Sequence, residues 1–529
     1  MYVLAYAPYG TDGIIIRVEA DIRRGIPGVD ITGLAEGAVR EARERVRAAF
    51  RNSGFSFPQD RILINLAPAG IRKDGAALDL PIALAVMAAA GQLSVPEDLM
   101  VLGELELSGR VRPVRGVLAA TAAGMKAGIR GFIVPAGNAA ETAILADGCF
   151  SPAESLGEAV RVLIFLERHN RFPPWDKEKR SFENTGNTES AAGDFSEVAG
   201  QGRYKRAMEI AAAGGHNLLV FGPPGAGKTM LARRIPSIMA PLTPEESVEV
   251  TRIHSLAGQI NNDGAIMDRP PFRSPHHSAS AEGILGGGRT VRPGEISLAH
   301  LGVLFLDEAP EFKTPVFQSL REPLEDRVIT ISRAEGPMRL PADFQLIMAA
   351  NTCPCGRLGT AKQDISGQYG GNTQCFCSSE EIFRYWKKFG GALMDRIEMR
   401  VPVRHQTPSS GERAAEETSA AIACRVRRAA EIQEYRFREM PVRRNSRIPP
   451  AMIEKTCPMD RHAADALRRA AEKLGLSGRS AHGILRVART IADLEGSGTL
   501  GTAHILEAIE HRRYGDDPFD ILALEQPPF

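Results

Sequence analysis

One run of eight residues constrains this chain more than any other. Gly222-Pro223-Pro224-Gly225-Ala226-Gly227-Lys228-Thr229 matches the pattern GxxxxGK[ST] in full. Its glycines let the backbone curl so that N–H groups face phosphate oxygens, and a helix opening at Lys228 adds its positive dipole end. Lys228 then reaches the β- and γ-phosphates, and the Thr229 hydroxyl meets Mg²⁺. The run follows an apolar stretch from Asn217 to Phe221 and opens an apolar helical pattern. That is the strand–loop–helix context such a loop requires, and it predicts a parallel sheet flanked by helices.

Two further strands end where the same site needs polar groups. In Gly302-Val-Leu-Phe-Leu-Asp307-Glu308 an apolar run predicts a buried strand. Asp307 at its tip would hold Mg²⁺ through water, and Glu308 would polarise an attacking water. The run from Gln345 to Ala350 ends in Asn351, whose amide would reach the γ-phosphate or the lytic water. The plainer alternative is an asparagine that only caps the strand turn.

At 529 residues the chain has room for about three domains. A polar interval, Arg168 to Phe195, contains Pro173-Pro174 and has no apolar period, so it reads as a tether. The expected organisation is a first α+β domain over 1–167, a linker over 168–196, an α/β domain over 197–405 and a helical region over 406–529. Within the first domain GIIIRVEADI, RILINLAP and GFIVP read as strands. EGAVREARERVRAAFRNSG, DLPIALAVMAAAG and GVLAATAAGMKAG read as helices, and GELELSGRVRPV as a hairpin. Beyond Val403, HAADALRRAAEKLG, SAHGILRVARTIADLEG and TAHILEAIEHRRYG read as helices.

Lys+Arg number 65 against 64 Asp+Glu, a formal net charge of +1. This excludes a protein that coats nucleic acid through a basic face and a polybasic membrane binder. No run approaches the ~18 apolar residues of a membrane span. The opening MYVLAYAPYGTDG, broken by Pro8 and Gly10, lacks a basic leader region, so a cytoplasmic chain without membrane partners is expected. The densest basic stretch runs from Arg425 to Arg447, with eight arginines against Glu431, Glu434 and Glu439.

Four of the seven cysteines form two pairs, Cys353-Pro-Cys355 and Cys375-Phe-Cys377. Four thiolates close a tetrahedral Zn²⁺ site, and the polar sequence between the pairs has no core of its own. A single intervening residue makes CxC a more strained chelate than CxxC, so free reduced thiols are the alternative.

The phosphate loop, the Asp307-Glu308 pair and Asn351 together resemble AAA+ ATPases. Longer stretches sharpen this. KRAMEIAAAGGHNLLVFGPPGAGKTMLARR, PFRSPHHSASAEGILGGG, RPGEISLAHLGVLFLDEAPEF, LREPLEDRVITISRA, AANTCPCG and LSGRSAHGILRVARTIADLEG resemble the magnesium-chelatase-like branch, specifically the ComM/YifB family. The resemblance implies ATP with Mg²⁺ and a ring, most simply a homo-hexamer. It also implies helicase or branch-migration activity on single-stranded or branched DNA, in recombination or natural transformation beside recombination proteins. Arg396, in Leu393-Met-Asp-Arg396, looks like the arginine finger that reaches a neighbouring subunit's γ-phosphate; the alternative is a surface arginine paired with Asp395. Arg479, in SGRS, looks like the lid (sensor 2) arginine that couples nucleotide state to lid angle; the alternative is an arginine that merely sits at a helix N-terminus.

The resemblance also marks two inserts as DNA-facing. The first, Ser274 to Arg289, carries Arg289 with Arg292 just beyond it. The second is a hairpin from Arg327 to Arg339 with Ser332, Arg333 and Arg339 as phosphate contacts, although solvated arginines are an equal alternative. His276-His277 is given a structural or loop role. With so balanced a charge, DNA contact narrows to these loops and to the Arg425–Arg447 stretch.

The first domain resembles the Lon-protease type through KDGAALDLPIALAVMAAAG and GELELSGRVRPVRGVLAATAAGMKAG. Ala77 stands where that family has its nucleophilic serine, and the catalytic lysine would fall near Leu118. Without hydroxyl and amine no Ser-Lys nucleophile forms, so an interaction or ring-building role is expected. Two other functions fit the same ATPase core: a magnesium-chelatase-type motor subunit driving a partner complex, and an ATP-dependent protease or unfoldase.

Overall fold

The computed structural model describes the chain apart from residues 11–12, 34–36, 71–72, 74–75, 175–192, 261–265, 289–291, 333–336, 359–374, 405–415, 441, 515–518 and 520–529, with backbone alone at 37–40 and 76. Three layers of organisation follow the chain: a mixed-sheet domain, a parallel-sheet domain and a helical lid.

The first domain is built on a seven-stranded sheet in the order Gly28–Thr32, Arg61–Ala67, Ile14–Arg23, Tyr2–Ala7, Leu99–Val101, Gly131–Pro135, Phe150–Ala153. Ile14–Arg23 pairs antiparallel with both its neighbours, whereas Leu99–Val101, Gly131–Pro135 and Phe150–Ala153 run parallel. Alternation explains the register of Arg61–Ala67, where Ile62, Ile64 and Leu66 face the core. The helix Asp79–Ala89 is apolar on all sides and is buried from Asp79 to Ala88. Its one charge, Asp79, accepts from Arg45 Nε at 2.7 Å and from the Leu105 N–H at 3.3 Å, as a buried carboxylate must.

The second domain carries a five-stranded, wholly parallel sheet in the order Phe272–Arg273, Val303–Leu306, Gln345–Ala350, Leu218–Phe221, Met399–Pro402. The three middle strands are buried along their whole length, which is why they read as unbroken apolar runs. The lid follows as helices Ser419–Phe437, Arg461–Leu474, Gly478–Glu495 and Thr502–Glu510, and it shares one apolar cluster with the strand Leu218–Phe221. His216 Nε2 lies 2.7 Å from Thr490 Oγ1 on the third of these helices, which ties the sheet to the lid.

The first and second domains also share a core. Leu256, on the second-domain helix Pro244–Ala257, belongs to the apolar cluster formed with Val117, Ala120, Phe132 and Val134 of the first domain. Beside it the Ser255 hydroxyl donates to Glu141 Oε2 at 2.8 Å, and the Gly116 N–H donates to Ser255 O at 3.2 Å. The interval expected as a tether begins inside the helix Leu156–His169, and near its far end Phe195 is buried with its N–H on Ser419 Oγ at 2.9 Å. Residues 175–192 between them lie outside the described residues.

Candidate functional site

Three adjacent parallel strands end at one place, the carboxyl edge of the sheet where α/β folds hold ligands. Leu218–Phe221 runs into Gly222, Val303–Leu306 into Asp307, and Gln345–Ala350 into Asn351. The loop passes so close to the neighbouring strand that a Cβ on Gly222 would stand 2.3 Å from Val403 O. Gly227 has φ +82°, in the left-handed region, where a side chain would be strained. The helix Lys228–Ala232 starts directly after it.

Lys228 Nζ donates to Gly222 O and Pro223 O, both at 2.8 Å, and to Asn351 Oδ1 at 3.1 Å. Burial pushes its ammonium down to about 8, although Asp307 and Glu308 pull the other way. Thr229 Oγ1 donates to Asp307 Oδ2 at 2.9 Å. A hydroxyl and a carboxylate oxygen that close are hard oxygen donors suited to Mg²⁺, so the residues fit the ion that the motif implies. Glu308 takes φ +48°, an uncommon conformation for a non-glycine residue, and its side chain stays exposed. His277 Nδ1 lies 3.7 Å from Glu308 Oε2, and the rings of His276 and His277 lie 4.1 Å apart, tilted by 34°. The histidine pair expected in a loop role thus borders the site.

Two residues that hold the loop gave no signal in sequence. Tyr204, fully buried, donates its hydroxyl to Lys228 O at 3.0 Å, and Gln201 Nε2 donates to Ala226 O at 3.1 Å. Each is a lone polar group ahead of the loop, with no spacing that sets it apart.

Arg396 and Arg479 come together, and away from the phosphate loop. Arg396 Nη2 donates to Glu325 Oε2, and Arg479 Nη2 donates to Glu325 Oε1 at 2.8 Å. They border a cavity of about 450 Å³ whose wall includes Arg327, Arg447 and Arg486 but none of the residues from Gly222 to Thr229. Arg396, and to a lesser degree Arg479, hold the Glu325 carboxyl below the usual carboxylate range. The alternative partner of Arg396, Asp395, turns instead towards Arg512 at 3.7 Å.

The first insert contains the helix Ala281–Leu285 and ends in a short strand, and the second forms a two-stranded hairpin. Gly286–Gly287 pairs with Arg292–Pro293, and Val328–Ile331 pairs with Met338–Pro341. Arg292, Ser332 and Arg339 are exposed, while Arg289 and Arg333 lie outside the described residues. The arginine-rich stretch from 425 to 447 departs from expectation, because folding spends much of its charge internally. Arg425 pairs with Glu209 and Glu417, Arg436 with Asp493, Arg443 with Glu246 and Arg447 with Asp343. All of these acidic partners but Glu417 come from distant segments, so the stretch by itself overstates the free charge.

The four cysteines converge. Cys353 Sγ lies 3.3 Å from Cys355 Sγ and 3.6 Å from Cys375 Sγ, Cys355 and Cys375 are 3.6 Å apart, and all four sulfurs fall within 4.8 Å of one another. Ligands at a Zn–S distance of ~2.3 Å in a tetrahedron stand ~3.8 Å apart, so the set fits zinc. In the first domain Leu118 is fully buried with its N–H on Glu141, and Ala77 sits in the turn Ala76–Leu78.

Fold and site together define a P-loop protein of the AAA+ class. Residues 194–410 match the family described as magnesium chelatase, subunit ChlI, residues 18–138 match subunit ChlI of Mg-chelatase, and residues 416–512 match its C-terminal region. The chain is 40% identical over 512 residues to the YifB protein of Salmonella typhimurium, covering 96% of each. It is 38% identical over 517 residues to the competence protein ComM of Haemophilus influenzae, covering 96% of this chain and 97% of that one. A 173-residue stretch is 31% identical to the Lon protease of Chloroflexus aurantiacus, 30% of this chain and 21% of that one. The chain belongs to the magnesium-chelatase-like AAA+ family that includes YifB and ComM.

Proposed function

We propose that this chain hydrolyses ATP as one subunit of a ring, a homo-hexamer in the simplest case, and moves or remodels single-stranded or branched DNA. The contact between Thr229 and Asp307, with Lys228 and Asn351 beside it, carries the first half of this reading. Lys228 would exchange its loop carbonyls for phosphate oxygens, and Thr229 and Asp307 would hold Mg²⁺, which neutralises phosphate charge. Glu308, the exposed carboxylate at the strand tip, is the group to orient and deprotonate the attacking water, and Asn351 fixes the distance between that water and Lys228. Arg396 and Arg479, paired on Glu325, lie away from their own loop, and their place is then at the nucleotide of the adjacent subunit, where transition-state charge needs a further cation.

The DNA half rests on the likeness to a competence protein and on the exposed Arg292, Ser332 and Arg339 at the two hairpins. Repeated around a ring, a few cations per subunit line a channel that a net charge of +1 does not preclude. Such a ring would work in the cytoplasm, beside recombination proteins; no helix among the described residues is long and apolar enough to cross a membrane. A chelatase-type motor acting on a partner complex shares the ATPase core but needs no DNA response. A peptidase is disfavoured by Ala77 and Leu118.

The test is steady-state ATP hydrolysis by the full chain with and without forked DNA, alongside its oligomeric state. Stimulation by forked DNA supports the reading; a rate and an assembly both indifferent to DNA overturn it. A Lys228→Ala variant that hydrolyses ATP normally would remove the site assignment itself. The cysteine set is proposed to hold one structural Zn²⁺ that fixes the segment after Asn351.

A further inference from the structure

Glu325 sits where two parts of the chain meet. It lies on the short helix Arg321–Asp326, ahead of the hairpin Val328–Ile331/Met338–Pro341. Arg396 follows the helix Gly391–Met394 of the ATPase domain, and Arg479 occupies the first turn of the lid helix Gly478–Glu495. One oxygen of the Glu325 carboxylate takes Arg396 Nη2 and the other takes Arg479 Nη2. Two guanidinium groups are thereby held side by side on a single carboxylate.

That arrangement has an electrostatic requirement. Like charges so close repel, and the cavity beside them already contains Arg327, Arg447 and Arg486. The anion between them removes the repulsion while occupying only one nitrogen of each guanidinium. Arg396 Nη1 is anchored separately on Ala392 O at 2.6 Å, and its buried Nε has no hydrogen-bond partner. The half-exposed Arg479 guanidinium, held on one nitrogen, still presents its other N–H groups to an oxyanion, while the more buried Arg396 keeps one N–H unspent. Half of Glu325 remains solvent-accessible, so the cluster faces outwards into its cavity.

We propose that Glu325 is a positioning residue for hydrolysis: it clamps Arg396 and Arg479 into one two-guanidinium receptor for the terminal phosphate of the nucleotide in the adjacent subunit. The inference rests on the reading that these two arginines act across the subunit interface. It adds that they act as a unit, and that the lid, through Arg479, is locked to the ATPase domain, through Arg396, by a third side chain. Neither arginine alone is then a sufficient receptor.

The experiment measures kcat and KM for ATP with the full chain, at a protein concentration where wild type is assembled, for Glu325→Ala, Glu325→Gln, Glu325→Asp, the double variant R396A/R479A, and that double variant carrying Glu325→Ala. Loss of a group that acts only in the transition state lowers kcat and leaves KM nearly unchanged, so Glu325→Ala is expected to lose about tenfold or more in kcat with KM within about twofold. Glu325→Asp is expected to recover most of the rate, and Glu325→Gln, which cannot neutralise two cations, is not. Adding Glu325→Ala to R396A/R479A should cost nothing further, since a residue acting through the arginines has nothing left to act through.

Wild-type kcat in Glu325→Gln overturns the proposal, as does an equal loss from Glu325→Ala with and without the arginines. If R396A/R479A itself keeps the wild-type rate, the reading of the arginines falls and the clamp with it. An inactive double variant beside a fully active Glu325→Ala removes the clamp alone.

Discussion

The Ser255 hydroxyl, on a helix of the ATPase domain, donates to the Glu141 carboxylate of the first domain across 2.8 Å of buried interface. Glu141 is 6% exposed and also accepts from Asn138 Nδ2 at 2.5 Å and from the Leu118 N–H. Leu118, near which the Lon-type resemblance would place a lysine, thus contributes a backbone N–H to an interdomain network.

Glu141→Ala strands these donors in a buried site and should destabilise the protein by ~2–4 kcal/mol, read as an earlier denaturant midpoint. Burial raises the Glu141 carboxyl above the usual carboxylate range, with its hydrogen bonds to Ser255 and Asn138 opposing. A raised pKa means that its contribution is complete at acid pH and declines as pH rises through the raised value. Glu141→Gln should abolish that decline; an unchanged slope would show that another group causes it.

His216 predicts the opposite slope. Burial drives its imidazole down to about 3, and Arg486 and Arg447 add to the depression. A lowered pKa means that stability is intact above the ordinary histidine value and is lost as pH falls towards the lowered one. Each pH unit below ~6.5 should therefore cost ~1.4 kcal/mol. Denaturant unfolding at pH 7.5, 6 and 5 measures this, and His216→Gln should flatten the response in proportion to the share that His216 carries.

Glu308→Gln should separate binding from hydrolysis. Nucleotide affinity, measured with a fluorescent ATP analogue, should stay within about threefold while phosphate release falls ~10²-fold or more, as expected for loss of a general base. Asn351→Ala removes an acceptor of Lys228 and should cost both affinity and rate. Full phosphate release by Glu308→Gln would move the base to another residue.

Purified protein should contain close to one zinc per chain, measured by elemental analysis, and Cys353→Ser or Cys375→Ser should lose it together with part of the thermal stability. Cys353 is completely buried, so its substitution should have the larger effect. Wild-type melting in both variants, with no metal in the parent, would dismiss the site.

What the sequence made legible follows from how far each signal reaches along the chain. The strands Val303–Leu306 and Gln345–Ala350 are buried on both faces, so each appears as an uninterrupted apolar run ending in the polar residue that the site uses. The sheet's edge strand, Phe272–Arg273, is two residues long and has no period to detect. Tyr2–Ala7 is apolar throughout, a pattern that fits several local structures until a partner strand selects one. The four cysteines were visible because spacing and count announce them. Arg396 and Arg479 were visible as motif positions, but their shared carboxylate was not: Glu325 is 71 residues from one and 154 from the other. The arginines from 425 to 447 read as freer than they are for the same reason, most of their partners being contributed by remote segments.

Leu256 in the apolar cluster of the first domain has a mechanical consequence. With Glu141, Ser255 and Gly116 beside it, it fastens that domain to the ATPase domain without using the peptide chain between them. Cleavage of the backbone between residues 174 and 193 would leave two fragments travelling as one particle. Any displacement of the helix Pro244–Ala257 would therefore be handed on to the first domain directly, as through a welded joint.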